Sequence, residues 1–129
     1  MSMTETILIF CAHPDDEILG VGGTIAKYAK QGKQVISVIF SKGETSHFWM
    51  QEKHVHDIRT QESLVAGSIV GASDTIFLGL RDGNLSQDIK KPGVLARIKA
   101  MITKYRPTKI FTHDHDDFIY PDHIAVHTI

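Results

Sequence analysis

Ile7-Leu8-Ile9-Phe10-Cys11-Ala12-His13-Pro14-Asp15-Asp16-Glu17 is the stretch that decides how this chain folds. Four large apolar residues in a row, without polar alternation, suit a short strand buried on both faces of a parallel sheet. An imidazole and three carboxylates then follow within five residues. In open α/β folds ligands bind in the crevice at the carboxyl ends of the strands. A metal-ligand set at this strand end is therefore chemically and topologically coherent.

The same kind of apolar run recurs at residues 34–41, 75–80 and 109–113, and helix-like segments separate the runs. The first helix is expected over 20–31 with Gly32 at its end, the second over 51–70 with Gly71 as its stop. The third is expected over 92–105, with Pro92 tolerated in its first turn and Pro107 just beyond its end. A last helix opens at Pro121-Asp122. This β-α alternation predicts a three-layer α/β sandwich around a mostly parallel, Rossmann-like sheet with right-handed crossovers. The chain reads as a single domain over residues 1–129. It stops about two turns into the last helix, and an ending right after an acidic, His-rich loop predicts a truncated form of a longer chain.

Composition sets the outer bounds. Fourteen basic against fifteen acidic residues give a net charge of −1, so nothing in the charge balance draws the chain to nucleic acid or to an acidic membrane. One cysteine precludes an internal disulfide framework and fits a reducing compartment. With no span-length apolar stretch and no basic-then-apolar leader, the chain reads as cytoplasmic. Eight histidines are many for 129 residues, and His13, His113, His115, His123 and His127 cluster around the two candidate site segments.

A catalytic zinc site takes three protein ligands from histidine and carboxylate and leaves a fourth position open. His13 and Asp16 can turn inward from one tight loop, and a third ligand can arrive from Asp122-His123 if the first and fourth strands are neighbours. Asp15 then faces the open position, where a carboxylate can accept a proton from water. Read alone, Asp16 and Glu17 also suit the start of a helix, whose N-terminus favours acidic residues.

The chain resembles the LmbE-like, or PIG-L-type, zinc-dependent de-N-acetylases. The resemblance rests on Ala12-His13-Pro14-Asp15-Asp16-Glu17 with Gly20 and Gly22-Gly23, and on Phe40-Ser41-Lys42-Gly43-Glu44. Arg59-Thr60-Gln61-Glu62, Leu78-Gly79-Leu80-Arg81-Asp82-Gly83 and Tyr120-Pro121-Asp122-His123 continue it in the family's order. It implies that His13, Asp16 and His123 bind Zn²⁺ and that Asp15 is the general base. It also implies that Arg59 and Asp82 hold sugar hydroxyls, a task suited to directional donors and acceptors. The implied partner is a small N-acetylated sugar or conjugate, with no nucleic acid and no membrane involved. This chain departs from the family where the last motif begins with Tyr120 instead of histidine. A phenol can donate a hydrogen bond to an oxyanion but is a weaker acid than an imidazolium; His113 and His115 are the other candidates for that task.

The alternative is a non-catalytic or truncated metal-binding module of the same fold, favoured by Tyr120 and the early ending. Two His and one carboxylate also describe non-haem Fe(II) oxygenases, but those sites usually sit on all-β barrels. The glycines at 20, 22 and 23 lack the G-x-G-x-x-G spacing of a dinucleotide loop. Cys11 reads as a small core residue, and His47-Phe48-Trp49-Met50 as core packing or the contact of a homo-oligomer. His127, one turn beyond His123, reads as a packing residue or a support for a ligand. The run His113-Asp114-His115-Asp116-Asp117 either takes an adventitious cation or orients the site.

Overall fold

A computed structural model describes residues 4–116 and 120–129, so Asp117 lies outside the described residues. The elements are β1 (Thr6–Cys11), α1 (Asp16–Lys30), β2 (Gln34–Ser41), α2 (Glu52–Val70), β3 (Asp74–Leu80), α3 (Leu85–Asp88), α4 (Pro92–Tyr105), β4 (Lys109–Phe111) and α5 (Pro121–Thr128). Among the described residues the strands form one parallel sheet in the order β3-β2-β1-β4. β1 is therefore interior, which explains its uninterrupted apolar sequence. The order reverses between β1 and β4, so the crevice of a doubly wound sheet opens between their carboxyl ends.

Alternate residues of β1 supply two cores. Leu8 and Phe10 join Ile36, Val38 and Phe40 of β2, Leu85 of α3, Ile98 of α4 and Val126 of α5 on one face. Ile7, Ile9 and Cys11 meet Val35 and Ile39 under Ile25 of α1 on the other. The expected three-layer α/β sandwich is present, and Cys11 is core, as its position at the strand end suggested.

Three local expectations are corrected. The first helix begins at Asp16, not near residue 20, because the chain enters its first turn directly from Asp15 as N-cap. The glycine-rich segment bends that helix at Val21 (φ −135°, ψ 19°) without ending it. The fourth strand closes at Phe111, and the Ala12 N–H is taken up by the His113 ring at 3.0 Å, not by a further rung of the ladder. Core packing is excluded for the loop after β2, because Phe48 and Trp49 are 90% and 68% exposed and meet each other edge to face with ring centres 5.1 Å apart.

β3 carries the irregularity that matters for the site. Ile39 pairs with Phe77 but Ser41 with Leu80, a shift in register with Gly79 at φ +74°. This bulge turns residues 81–84 across the end of the sheet toward β1.

Gly71 ends α2 at φ +90°, and a Cβ there would lie 2.8 Å from the Cβ of Ala29. Gly71→Ala is expected to cost about 2 kcal/mol or more, from the left-handed backbone and the overlap together. Gly93→Ala, where nothing lies within 4 Å, should instead be neutral or stabilising by up to about 1 kcal/mol. Urea unfolding of both variants checks the contrast.

Candidate metal and hydrolase centre

Three loops meet at the carboxyl end of β1: the turn 12–16, the turn 81–84 after β3, and the start of α5. They wall a cleft of about 750 Å³ that includes His13, Asp15, Asp16, Arg59, Asp82 and Tyr120, a size typical of small-molecule sites. His123 lines the same cleft.

Asp16 is the hub of one side. Its Oδ2 accepts the His13 N–H at 2.9 Å and lies 3.3 Å from His123 Nε2 and 3.6 Å from His13 Nδ1. His113 Nε2 stands 3.3 Å from the same oxygen, and the His113 ring stacks on His123 with centres 3.9 Å apart. Burial would push the Asp16 carboxyl up, but the imidazoles of His113 and His13 and the His13 N–H hold it well below the usual carboxylate range.

The other face of the His13 ring meets two more carboxylates. Its Nε2 is 3.1 Å from Asp82 Oδ1 and 3.0 Å from Asp122 Oδ2. Asp122 is buried and also accepts the Gly83 and Leu85 N–H groups, at 2.8 and 3.1 Å. It thereby ties α5 to the turn after β3. Asp82 is further engaged by the Thr45 hydroxyl at 2.6 Å, while its own N–H donates to the buried Glu44. Desolvation opposes the Asp82 charge, yet the bonds from His13 and Thr45 bring its pKa down to about 2. For His13, burial disfavours the imidazolium, but Asp16, Asp82 and Asp122 outweigh it and raise the pKa to about 10.

Nitrogens of His13 and His123 and an oxygen of Asp16 all lie within 4.8 Å of one another. Zinc bonds of about 2.0–2.2 Å in a tetrahedral shell place two donors about 3.4 Å apart. The separations of 3.3 and 3.6 Å around Asp16 fit that spacing. With Nδ1 of His13 on this side, Nε2 facing Asp82 and Asp122 completes the carboxylate–histidine arrangement that orients metal-ligating imidazoles. The donor set can therefore hold such an ion.

Asp15, the N-cap of α1, is in the left-handed region at φ 117°, and its side chain is half exposed in the cleft. Burial raises its pKa, against the opposing charge of Arg59. The Arg59 guanidinium donates to the Pro14 carbonyl and stands 3.4 Å from Asp15 Oδ2. Its side chain is only 16% exposed, so it is not the solvated residue that its place on α2 allowed. Tyr120 is the N-cap of α5, with its ring centre 4.9 Å from that of His123 and 6.4 Å from that of His13.

The expected residues thus gather in one cleft. His115 does not join them: it is exposed and pairs with Asp114 and Asp116 of its own loop. His127 accepts a supporting role, with Nδ1 2.8 Å from the His113 carbonyl oxygen. Thr45 and the packing of His113 on His123 were not anticipated, and the only signal for them was proximity in sequence to the ends of β2 and β4. Glu17, expected merely to start a helix, is buried and accepts the Asp15 N–H at 3.2 Å.

The sequence profile of the family described as PIG-L: GlcNAc-PI de-N-acetylase matches residues 8–129. The chain belongs to the PIG-L family. A PIG-L relative from Rhodococcus jostii, named 1D-myo-inositol 2-acetamido-2-deoxy-alpha-D-glucopyranoside deacetylase, is 32% identical over 95% of this chain and 51% of its own length. The N,N'-diacetylchitobiose deacetylase structure from Pyrococcus horikoshii superposes with a TM-score of 0.84 at 25% identity, covering 95% of this chain and 46% of that one. GalB, the 4-carboxy-2-hydroxymuconate hydratase of Pseudomonas putida, superposes with a TM-score of 0.80 at 25% identity, covering 97% and 53%. The chain spans about half the length of the curated relatives it matches.

Cluster charge sets a pH dependence for the metal-free protein. His13 is raised from 6.5 to about 10, so its contribution to stability is complete below pH 6.5 and is lost as pH rises through 10. Asp82 is lowered from 3.8 to about 2, so its contribution is present above pH 3.8 and is lost as pH falls through 2. In chelator, the melting temperature is expected to fall between pH 7 and pH 10, and to fall less in His13→Gln. Identical slopes in the two proteins would contradict the assignment.

Proposed function

We propose that this chain carries the metal-dependent centre of an N-deacetylase acting on an N-acetylated, glucosamine-type sugar or a related small molecule. The observation that carries the reading is the donor set His13, Asp16 and His123 at ligand spacing, with the Asp15 carboxylate beside it in a cleft of about 750 Å³. The names of the Rhodococcus and Pyrococcus relatives support the reaction class. The parallel α/β scaffold does not support the oxygenase reading. The domain is proposed to be single over residues 1–129 and to work in the cytoplasm; a homo-oligomer would cover the apolar loop at Phe48 and Trp49.

His13, Asp16 and His123 would hold Zn²⁺, which when bound supplies Lewis acidity toward the amide carbonyl and toward water. Asp15 takes a proton from the attacking water at its carboxylate as the new C–O bond forms. It then returns that proton to the amine nitrogen as the C–N bond breaks, releasing acetate and the free amine. The Tyr120 hydroxyl, at the mouth of the cleft, donates to the oxyanion. Arg59 and Asp82 border the space where sugar hydroxyls would lie. Asp82 and Asp122 keep the His13 ring in place through Nε2.

Amine release from a panel of N-acetylated glucosamine conjugates, with zinc-loaded protein, is the decisive assay. Asp15→Asn is expected to lower kcat by about 10²–10⁴-fold with zinc still bound. His13→Ala should lose zinc and turnover together, and chelation should do the same reversibly. Undiminished turnover in Asp15→Asn would falsify the mechanism. Tyr120→Phe is expected to lower kcat by about 10–10²-fold with KM little changed, since one oxyanion donor is removed.

A further inference from the structure

We infer that Glu17 and Arg59 are positioning residues, which together hold Asp15 in the left-handed backbone conformation that carries its carboxylate into the cleft. The inference rests on the reading of Asp15 as the proton-transfer group.

The backbone makes the first case. Asp15 has φ 117°, a region that costs a non-glycine residue free energy and persists where the surroundings over-determine it. Two contacts do so here. The Glu17 carboxylate turns back to accept the Asp15 N–H at 3.2 Å, as the glutamate of a capping box does for an N-cap. The Arg59 guanidinium donates to the Pro14 carbonyl and reaches the Asp15 carboxylate at 3.4 Å. Both ends of the Pro14–Asp15 peptide group, its C=O and its N–H, and the Asp15 side chain are thus held.

Burial makes the second case. Glu17 is 2% exposed, although an acid at a helix N-terminus already gains from the dipole while exposed to solvent. Taking a carboxylate out of water is expensive unless it is hydrogen-bonded, and Glu17 is bonded by the Asp15 N–H together with its own N–H and the Cys11 thiol. Arg59 is given its path by Gly43, at φ +66° on the neighbouring loop. A Cβ there would lie 2.8 Å from Arg59 Nε and 3.0 Å from Pro14 Cδ. A further cavity of about 220 Å³ lies behind the loop between Glu17, Arg59 and Ser63, so close packing of apolar side chains does not hold Asp15 from that side. A guanidinium has five N–H donors, so gripping the loop does not preclude a contact with substrate.

A melting cycle without metal or substrate tests the clamp. Asp15→Gly and Asp15→Ala both lack the carboxylate, but only glycine is at ease at φ 117°. Asp15→Gly is expected to melt several degrees above Asp15→Ala, and the gap should close in a Glu17→Ala background. Should Glu17→Ala not fold, Arg59→Ala serves as the background. A gap that is absent from the start, or unchanged in the second background, overturns the inference. In the zinc-loaded enzyme, Glu17→Ala should lower kcat about tenfold or more with KM and zinc affinity within about twofold, and Glu17→Gln, which keeps an acceptor oxygen, should restore most of the loss; Arg59→Lys should lower kcat to a similar extent whatever it does to KM. A rise in KM at constant kcat for Arg59→Lys would assign that residue to substrate alone and overturn its part. Full turnover in Asp15→Asn defeats the deacetylase mechanism but leaves the melting cycle standing, so the two failures are distinguishable.

Discussion

Everything at this site depends on one imidazole standing among three carboxylates. His13 faces Asp16 through Nδ1 and both Asp82 and Asp122 through Nε2. Three like charges so close together are tolerated only with positive charge or strong donors between them. Because the carboxylates come from the start of α1, the turn after β3 and the start of α5, satisfying that charge closes the molecule. Asp122 shows the link most directly: the oxygens that face His13 and the backbone of residues 83 and 85 belong to one buried side chain. The contacts that join these three elements are the same ones that build the site.

The strand end makes this affordable. β1 is interior and saturated on both faces by Ile, Leu, Phe and Cys side chains, so the loop that leaves it is rigid at its base. A rigid base lets Asp15 sit at φ 117°. Local strain at a reactive group is a common exchange of stability for preorganisation. The Cys11 thiol illustrates how dry that base is: burial, with the carboxylates of Glu17, Asp16 and Asp15 nearby, pushes its pKa well above the ordinary value.

Relatives of comparable likeness bear the names of a chitobiose deacetylase and of a hydratase. One scaffold thus carries proteins named for different reactions, and the reaction is decided by what lines the cleft. In this chain the cleft is lined by Tyr120 at the N-cap of α5 and by the His113 ring stacked on His123.

Much of the fold was legible in the sequence, because it is written in short-range pattern. Unalternated apolar runs marked strands buried on both faces, Gly71 marked a helix end, and Pro92 a helix start, each through the conformational limits of one residue. That His13, Asp15, Asp16 and His123 come together in one cleft was legible for the same reason, since they follow or open regular elements. The sequence did not foretell that Glu17 turns inward, that Arg59 reaches across from α2 to the Pro14 carbonyl, or that Thr45 and His113 brace the two ends of the cluster. Those facts depend on contacts between residues up to about a hundred positions apart, as Ala12 and His113 are, and a side chain's partner at that range leaves no periodic trace. The sequence by itself determined the layers, the strand end and which residue types gather at it; only the tertiary structure decided which way each polar side chain turns, because burial and charge pairing are settled by neighbours the local chain does not contain.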